Sequence, residues 1–268
     1  MAGHSKWHNI KHRKAAVDKK RGKIWTKCAK AIIVAAKTGG PDPASNLSLR
    51  YAIDEARYAN MPRDTIERAI KKGAGELGGD NYEPVRYEGY GPGGVAIIVD
   101  ALTDNRTRTV GDLRLAFGKY GGNLGNSGCV GYMFEAKGQI IVSTIQHDES
   151  DRKAKPIPRG ELSEKIMEAA INAGADDIEE PETGEEESQW TILTPVPAFQ
   201  PVKEALEAAK IKIAEAQIAM VPTMRTQVRG EDAKRLLALI DAVEDLDDVQ
   251  KVWANFDLDE SEVAALGG

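Results

Sequence analysis

The sequence predicts an α+β protein with a basic, helical N-terminal region followed by two α/β domains of the ferredoxin-like, split βαβ kind, one inserted in the other. Three observations carry this. Residues 1–73 hold 17 Lys and Arg against 6 Asp and Glu, whereas residues 74–268 hold 19 against 36, so a chain of net charge −6 is divided into a +11 start and a −17 body. The apolar period is helical up to Gly73 and alternates between strand-like and helical runs after it. Finally, the helix and strand closest to the C-terminus have no sheet partner nearby in sequence, which places them against an earlier, incomplete unit.

Residues 1–22 read as a basic arm. His4, Lys6, Trp7, His8, Lys11, His12, Arg13 and Lys14 are followed by Lys19, Lys20, Arg21 and Lys23. From Met1 to Lys37 there are eleven Lys and Arg and one acid, Asp18, with Trp7 and Trp25 among the cations. Cations neutralise phosphates and release counterions, and aromatic rings stack on unpaired bases. These twelve residues are the candidate nucleic-acid contacts.

Residues 23–73 read as a helical bundle. The first helix spans about 23–37, with Ile24, Cys28, Ala31, Ile32 and Ala35 expected inward. The second spans about 44–59, and the third starts near Pro62, whose fixed φ suits a first turn, and stops at Gly73. Gly73–Tyr82 is a glycine-rich linker. Beyond it, Gly94–Leu102 reads as a strand, Arg108–Tyr120 as a helix and Val130–Glu135 as a strand. The second unit comprises a strand at 139–145, a helix at 162–173, strands near 177–180 and 189–194, a helix at 198–209 and a strand at 215–221. That order is β-α-β-β-α-β. A helix at 230–244 and a strand at 249–256 remain. The domains are therefore expected at 83–135 plus 223–258, with 136–222 inserted.

Other signals carry less. Gly89-Tyr-Gly91-Pro-Gly93-Gly94 has the letters of a dinucleotide fingerprint but precedes a strand instead of opening a helix, so a glycine turn is the reading. The histidines at 4, 8 and 12 have no thiol nearby and cations all around, so no metal is expected. Eight acids between Asp176 and Glu187 read as a solvated loop. Thr103-Asp104-Asn105-Arg106-Thr107 is a helix cap, with Arg106 and Arg108 as secondary phosphate contacts. Two distant cysteines, Cys28 and Cys129, suit a reducing compartment. No run is long and apolar enough to span a membrane. A cytoplasmic chain is expected, with no catalytic residues and no cofactor.

The opening Ala2-Gly-His-Ser-Lys-Trp-His-Asn-Ile-Lys-His-Arg-Lys14 resembles the start of the YebC/PmpR family, which includes the mitochondrial translational activator of cytochrome c oxidase. Asn60-Met-Pro-Arg-Asp-Thr-Ile-Glu-Arg-Ala-Ile-Lys-Lys72, Glu88-Gly-Tyr-Gly-Pro-Gly-Gly-Val-Ala96 and Thr103-Asp-Asn-Arg-Thr-Arg-Thr109 resemble it too. The resemblance covers the whole chain and departs mildly from the common pattern around Asn126-Ser-Gly-Cys129. It implies a helical domain followed by two α/β domains, and a non-enzymatic regulator of gene expression. The function it implies is a translation factor on the ribosome and its RNA, with tRNA as a further contact, relieving stalling at proline-rich stretches. The alternative is a DNA-binding transcriptional regulator. Lys6, Trp7, Lys11, Arg13 and Lys14 carry over as nucleic-acid contacts, and a monomer without membrane partners is expected.

Overall fold

The computed structural model describes residues 17–77, 81–144, 146, 157–181 and 189–258, with the backbone alone over 17–21. It is an α+β chain in two compact units, Met1–Glu135 with Val221–Gly268, and Ala136–Met220.

Three helices come first: α1 (Val17–Gly39), α2 (Leu47–Tyr58) and α3 (Arg63–Gly73). The sequence places the start of α1 at Lys23, but the helix already runs at Val17. Val17-Asp-Lys-Lys-Arg21 contains no breaker, and the lone Gly22 costs only about 1 kcal/mol in a helix. The last residues of the expected arm are thus helical. The buried seam of α1 also differs from expectation: Cys28, Ile32, Ile33 and Ala36 are buried with Trp25 packed against them, while Ile24 is 44 % exposed. Trp25 sets this rotation by donating its indole N–H to Ala59 O at 3.0 Å. Asn46 joins α1 to α2: its Oδ1 accepts from Leu49 N, while its Nδ2 donates to Ala35 O and Gly40 O. Gly73 lets α3 approach α1, because a Cβ there would sit 2.5 Å from Ile33 O.

The first sheet has the order β3-β1-β2-β9, from β1 (Glu83–Tyr90), β2 (Ala96–Thr103), β3 (Asn123–Leu124) and β9 (Val249–Ala254). β1 and β2 form an antiparallel hairpin with Glu83 opposite Thr103 and Tyr90 opposite Ala96. Its turn is the Gly91–Gly94 stretch, in which Gly93 and Gly94 have φ of 72° and 74°. Gly91 N donates to Val95 O at 2.8 Å. β2 continues antiparallel onto β9, as Ile97 opposite Ala254 shows. Helices α4 (Arg106–Lys119) and α7 (Gly230–Glu244) supply Leu113, Phe117, Leu236, Leu239 and Ile240 to the core with Ile97, Val99 and Val252. A short parallel pair, β8 (Thr226–Gln227) and β10 (Phe256–Asp257), completes this unit.

Two expectations are corrected here. The sequence alone does not mark Glu83–Tyr90 as a strand, since its polar side chains blur the alternation. They are polar because they pair: Arg86 lies opposite Asp100 and bonds its carboxylate at 2.6 and 3.0 Å. The expected strand at 130–135 is instead a 3₁₀ turn, Gly131–Met133, followed by β4 (Phe134–Ser143), which merges it with the strand expected from 139.

The second unit has the strand order β5-β6-β4-β7, from β5 (Asp177–Glu179), β6 (Gln189–Pro195), β4 and β7 (Ile213–Pro222). β6 is antiparallel to both β4 and β5. With α5 (Arg159–Asn172) and α6 (Phe199–Ala208) between the strands, this is the split βαβ plan. Its core includes Ile140, Val142, Leu162, Ile166, Trp190, Ile192, Phe199, Val202 and Leu206. The first and last strands are neighbours, so the chain can enter and leave the unit side by side.

Candidate nucleic-acid interface

Of the sequence-derived contacts, His4, Lys6, Trp7, His8, Lys11, His12, Arg13 and Lys14 lie outside the described residues. Lys19, Lys20, Arg21 and Lys23 fall on the first turns of α1, so a basic stretch with no large apolar residue between Asp18 and Lys23 runs directly into a helix packed in the bundle.

The next cations of α1 serve the fold. Lys23, Lys27 and Lys30, at i, i+4 and i+7, lie along one side of the helix. Lys23 Nζ donates to Asp245 O and Asp245 Oδ1, both at 3.2 Å. Lys27 Nζ donates to Glu244 O at 2.7 Å, and Lys30 Nζ to Asp247 O at 2.9 Å and Asp248 Oδ1 at 3.1 Å. The last turn of α7 has no basic residue of its own. Three lysines from another helix therefore satisfy carbonyls at the negative end of its dipole.

Asp248 is the hub of this junction. It is 7 % exposed and accepts from Lys30, from Arg108 Nη2 at 2.6 Å, from Thr109 Oγ1 at 2.9 Å and from Thr103 Oγ1 at 3.2 Å. Burial alone would raise its carboxyl, but Arg108, Thr109 and Lys30 outweigh it and hold the group below the usual carboxylate range. The 103–109 motif is thereby explained as structure. Asn105 caps α4 by accepting from Arg108 N at 3.1 Å, and Thr103 and Thr109 are buried against Asp248.

The secondary candidates sit in the same region with partners of their own. Arg106 grips Glu83 with two nitrogens at 2.5 and 2.8 Å, and Arg108 bridges Asp104 at 2.7 Å and Asp248. Hydrogen bonds donated to these carboxylates raise both guanidinium groups above their ordinary value. A cleft of about 750 Å³ opens beside them, lined by Lys23, Lys30, Tyr82, Arg108, Asp245 and Asp248. With Asp104, Asp112 and Asp247 also in its lining, five aspartates outnumber three cations, so it does not favour a phosphate. Of the remaining exposed cations of the bundle, Lys37 lies in the last turn of α1 and Arg57, Arg63, Arg68 and Lys71 lie on α2 and α3. Arg57 pairs with Asp54 at 3.2 Å and Arg63 with Glu67 at 2.9 Å.

Cys28 is a buried core residue, and burial first, then Glu55, push its thiol up to about 12. Among the described residues no group of His, Cys, Asp and Glu could hold a metal ion, and no helix is long and apolar enough to cross a membrane. Sequence reasoning missed Glu88, Asp248 and Tyr132. The first two are acids among many acids, and only their burial at 6 % and 7 % separates them from the rest.

Residues 5–76 match the N-terminal domain of TACO1/YebC proteins, and residues 82–256 match the TACO1/YebC second and third domain. A probable transcriptional regulatory protein of Geobacter sulfurreducens is 48 % identical over 266 residues, covering 99 % of this chain and 100 % of the relative. One from Thiobacillus denitrificans is 51 % identical over 256 residues, covering 95 % and 98 %. The crystal structure of a conserved hypothetical protein from Aquifex aeolicus superposes with a TM-score of 0.78 at 46 % identity, covering 92 % of this chain and 94 % of that one.

Proposed function

The chain belongs to the TACO1/YebC family, and we propose that it is a non-enzymatic, nucleic-acid-binding regulator of gene expression whose most direct target is RNA of the ribosome. The supporting observation is the charge of its first 21 residues, seven Lys and Arg against Asp18, leading into a helix whose following lysines are engaged by α7. That helix has a fixed place in the bundle, so it gives a basic segment a firm base.

RNA suits the arm better than duplex DNA. A reader of the major groove needs a regular element with a few side chains on base edges. The arm's sequence is punctuated by Gly3, His4, His8 and His12, and with Trp7 its side chains suit phosphate, 2′-hydroxyl and unstacked bases. The ribosome-directed reading includes relief of stalling at proline-rich stretches, in the cytoplasm, by a monomer. DNA-binding transcriptional control is the second reading, favoured by the names of the relatives.

Binding curves over a salt series test the arm residue by residue. Trp7→Ala should weaken RNA binding by roughly 5- to 150-fold with the salt slope intact, as loss of a base stack does. Lys11→Ala or Arg13→Ala should lower the slope by about 0.7, one phosphate contact on a single strand. Parental binding by all three variants would move the site away from the arm.

A further inference from the structure

The loop from Gly125 to Met133 is built around one carboxylate. Glu88, on β1, accepts from Gly128 N, Val130 N and Gly131 N at 2.9, 2.8 and 2.7 Å, and its own carbonyl accepts from Gly125 N at 2.8 Å. Tyr90, two residues along the same face of the strand, donates its phenol to Cys129 O at 3.0 Å. Met133 N closes the 3₁₀ turn onto Val130 O at 2.9 Å. Thr223 then donates both N and Oγ1 to Met133 O, at 2.9 and 3.0 Å, and Asn255 Nδ2 donates to Met224 O at 3.2 Å.

On this fixed backbone the chain displays two large apolar side chains. Tyr132 is 73 % exposed and Met224 is 70 % exposed, one on each side of the Met133–Thr223 contact. Arg225 beside Met224 is exposed, as are Asn126 and Ser127 on the loop. The charge here is unlike the rest of the body. Residues 121–134 and 221–229 contain no Asp or Glu and include Arg225 and Arg229, in a region, 74–268, that carries 36 acids against 19 cations. The acid beneath them, Glu88, is buried and engaged by backbone N–H groups.

An exposed ring on a rigid turn, with an exposed thioether and an exposed guanidinium on the segment hydrogen-bonded to that turn, suits an unpaired nucleobase and its phosphate. We propose that Tyr132, Met224 and Arg225 form a second single-stranded nucleic-acid contact, with a base stacked on Tyr132 and Arg225 on the adjoining phosphate. This rests on the reading of the chain as a nucleic-acid binder. Glu88 is the positioning residue that fixes the turn.

The test is binding of the full chain to a single-stranded RNA of about 20 nucleotides across a salt series. Tyr132→Ala should weaken binding roughly 5- to 150-fold with an unchanged slope. Tyr132→Phe, which keeps the ring, should stay within about twofold of the parent, since the ring supplies the stack. Arg225→Gln should lower the slope by about 0.7. If Tyr132→Ala binds like the parent while deletion of residues 2–22 still abolishes binding, the second contact is wrong and the arm stands. Equal losses in the Ala and Phe variants would overturn stacking and assign the role to the phenol, which hydrogen-bonds with Tyr90. A parent that binds no RNA would overturn both readings.

Discussion

At Glu88, burial would raise the carboxyl, but the N–H groups of Val130, Gly128 and Gly131 prevail and hold it below its ordinary value. A carboxyl depressed in the folded state stabilises the protein fully above its unfolded value, near pH 4.3, and that contribution fades as pH falls through the native value. Glu88→Gln should therefore lower stability by about 1–3 kcal/mol at neutral pH, the cost of weakening a buried hydrogen-bonded charge. The gap from the parent should narrow below about pH 4. Chemical denaturation at pH 7 and pH 3 checks it, and a gap that stays constant would show that the carboxylate is not the anchor. At Asp248 the sign is the same. Lys30→Met should cost about 1.5–3 kcal/mol, the range for hydrogen bonds to charged groups, because it removes two bonds from the α1–α7 junction.

Among the elements, α1 shows what a sequence can and cannot disclose. Its helical period was readable, and so was the core character of Cys28, because apolar spacing reports burial directly. Its phase was not readable. Trp25 reads in the sequence as an aromatic among cations, and its bond to the Ala59 carbonyl makes it part of the bundle instead. Lys23, Lys27 and Lys30 likewise look like phosphate contacts until α7, more than 200 residues away, supplies carbonyls to them. β1 was hidden because its polar side chains find partners on distant elements, Glu83 with Arg106 and Glu88 with the 128–131 loop. The helix of α7 and the order of the second unit were legible because their apolar faces pack locally and repeat cleanly. Trp25→Ala should destabilise the bundle by about 3 kcal/mol, the low end for a large aromatic since it is half-buried. Gly73→Ala should cost about 1–3 kcal/mol through the clash with Ile33 O. Thermal denaturation of both variants checks the seam, and parental melting for Gly73→Ala would show that α3 can move off α1.

For the whole molecule, the charge division and the two compact units carry the account. Because β4 and β7 are neighbours, we expect that Glu135 can be joined to Val221 through a short Gly/Ser linker and still leave a first unit that unfolds cooperatively. A broad, uncooperative transition would mean the inserted unit is needed for the fold around it. The central claim, that the basic start is what brings this acidic chain to nucleic acid, is tested most directly by deleting residues 2–22. Ribosome co-sedimentation and titration with duplex DNA would be run side by side at about 150 mM salt, where the phosphate contribution is comparable between them. The account predicts that the full chain sediments with ribosomes more tightly than it binds the duplex, and that the deletion abolishes ribosome binding while leaving the melting transition of the α/β body nearly unchanged. Undiminished sedimentation of the truncated chain, or a full chain that prefers the duplex, would contradict it.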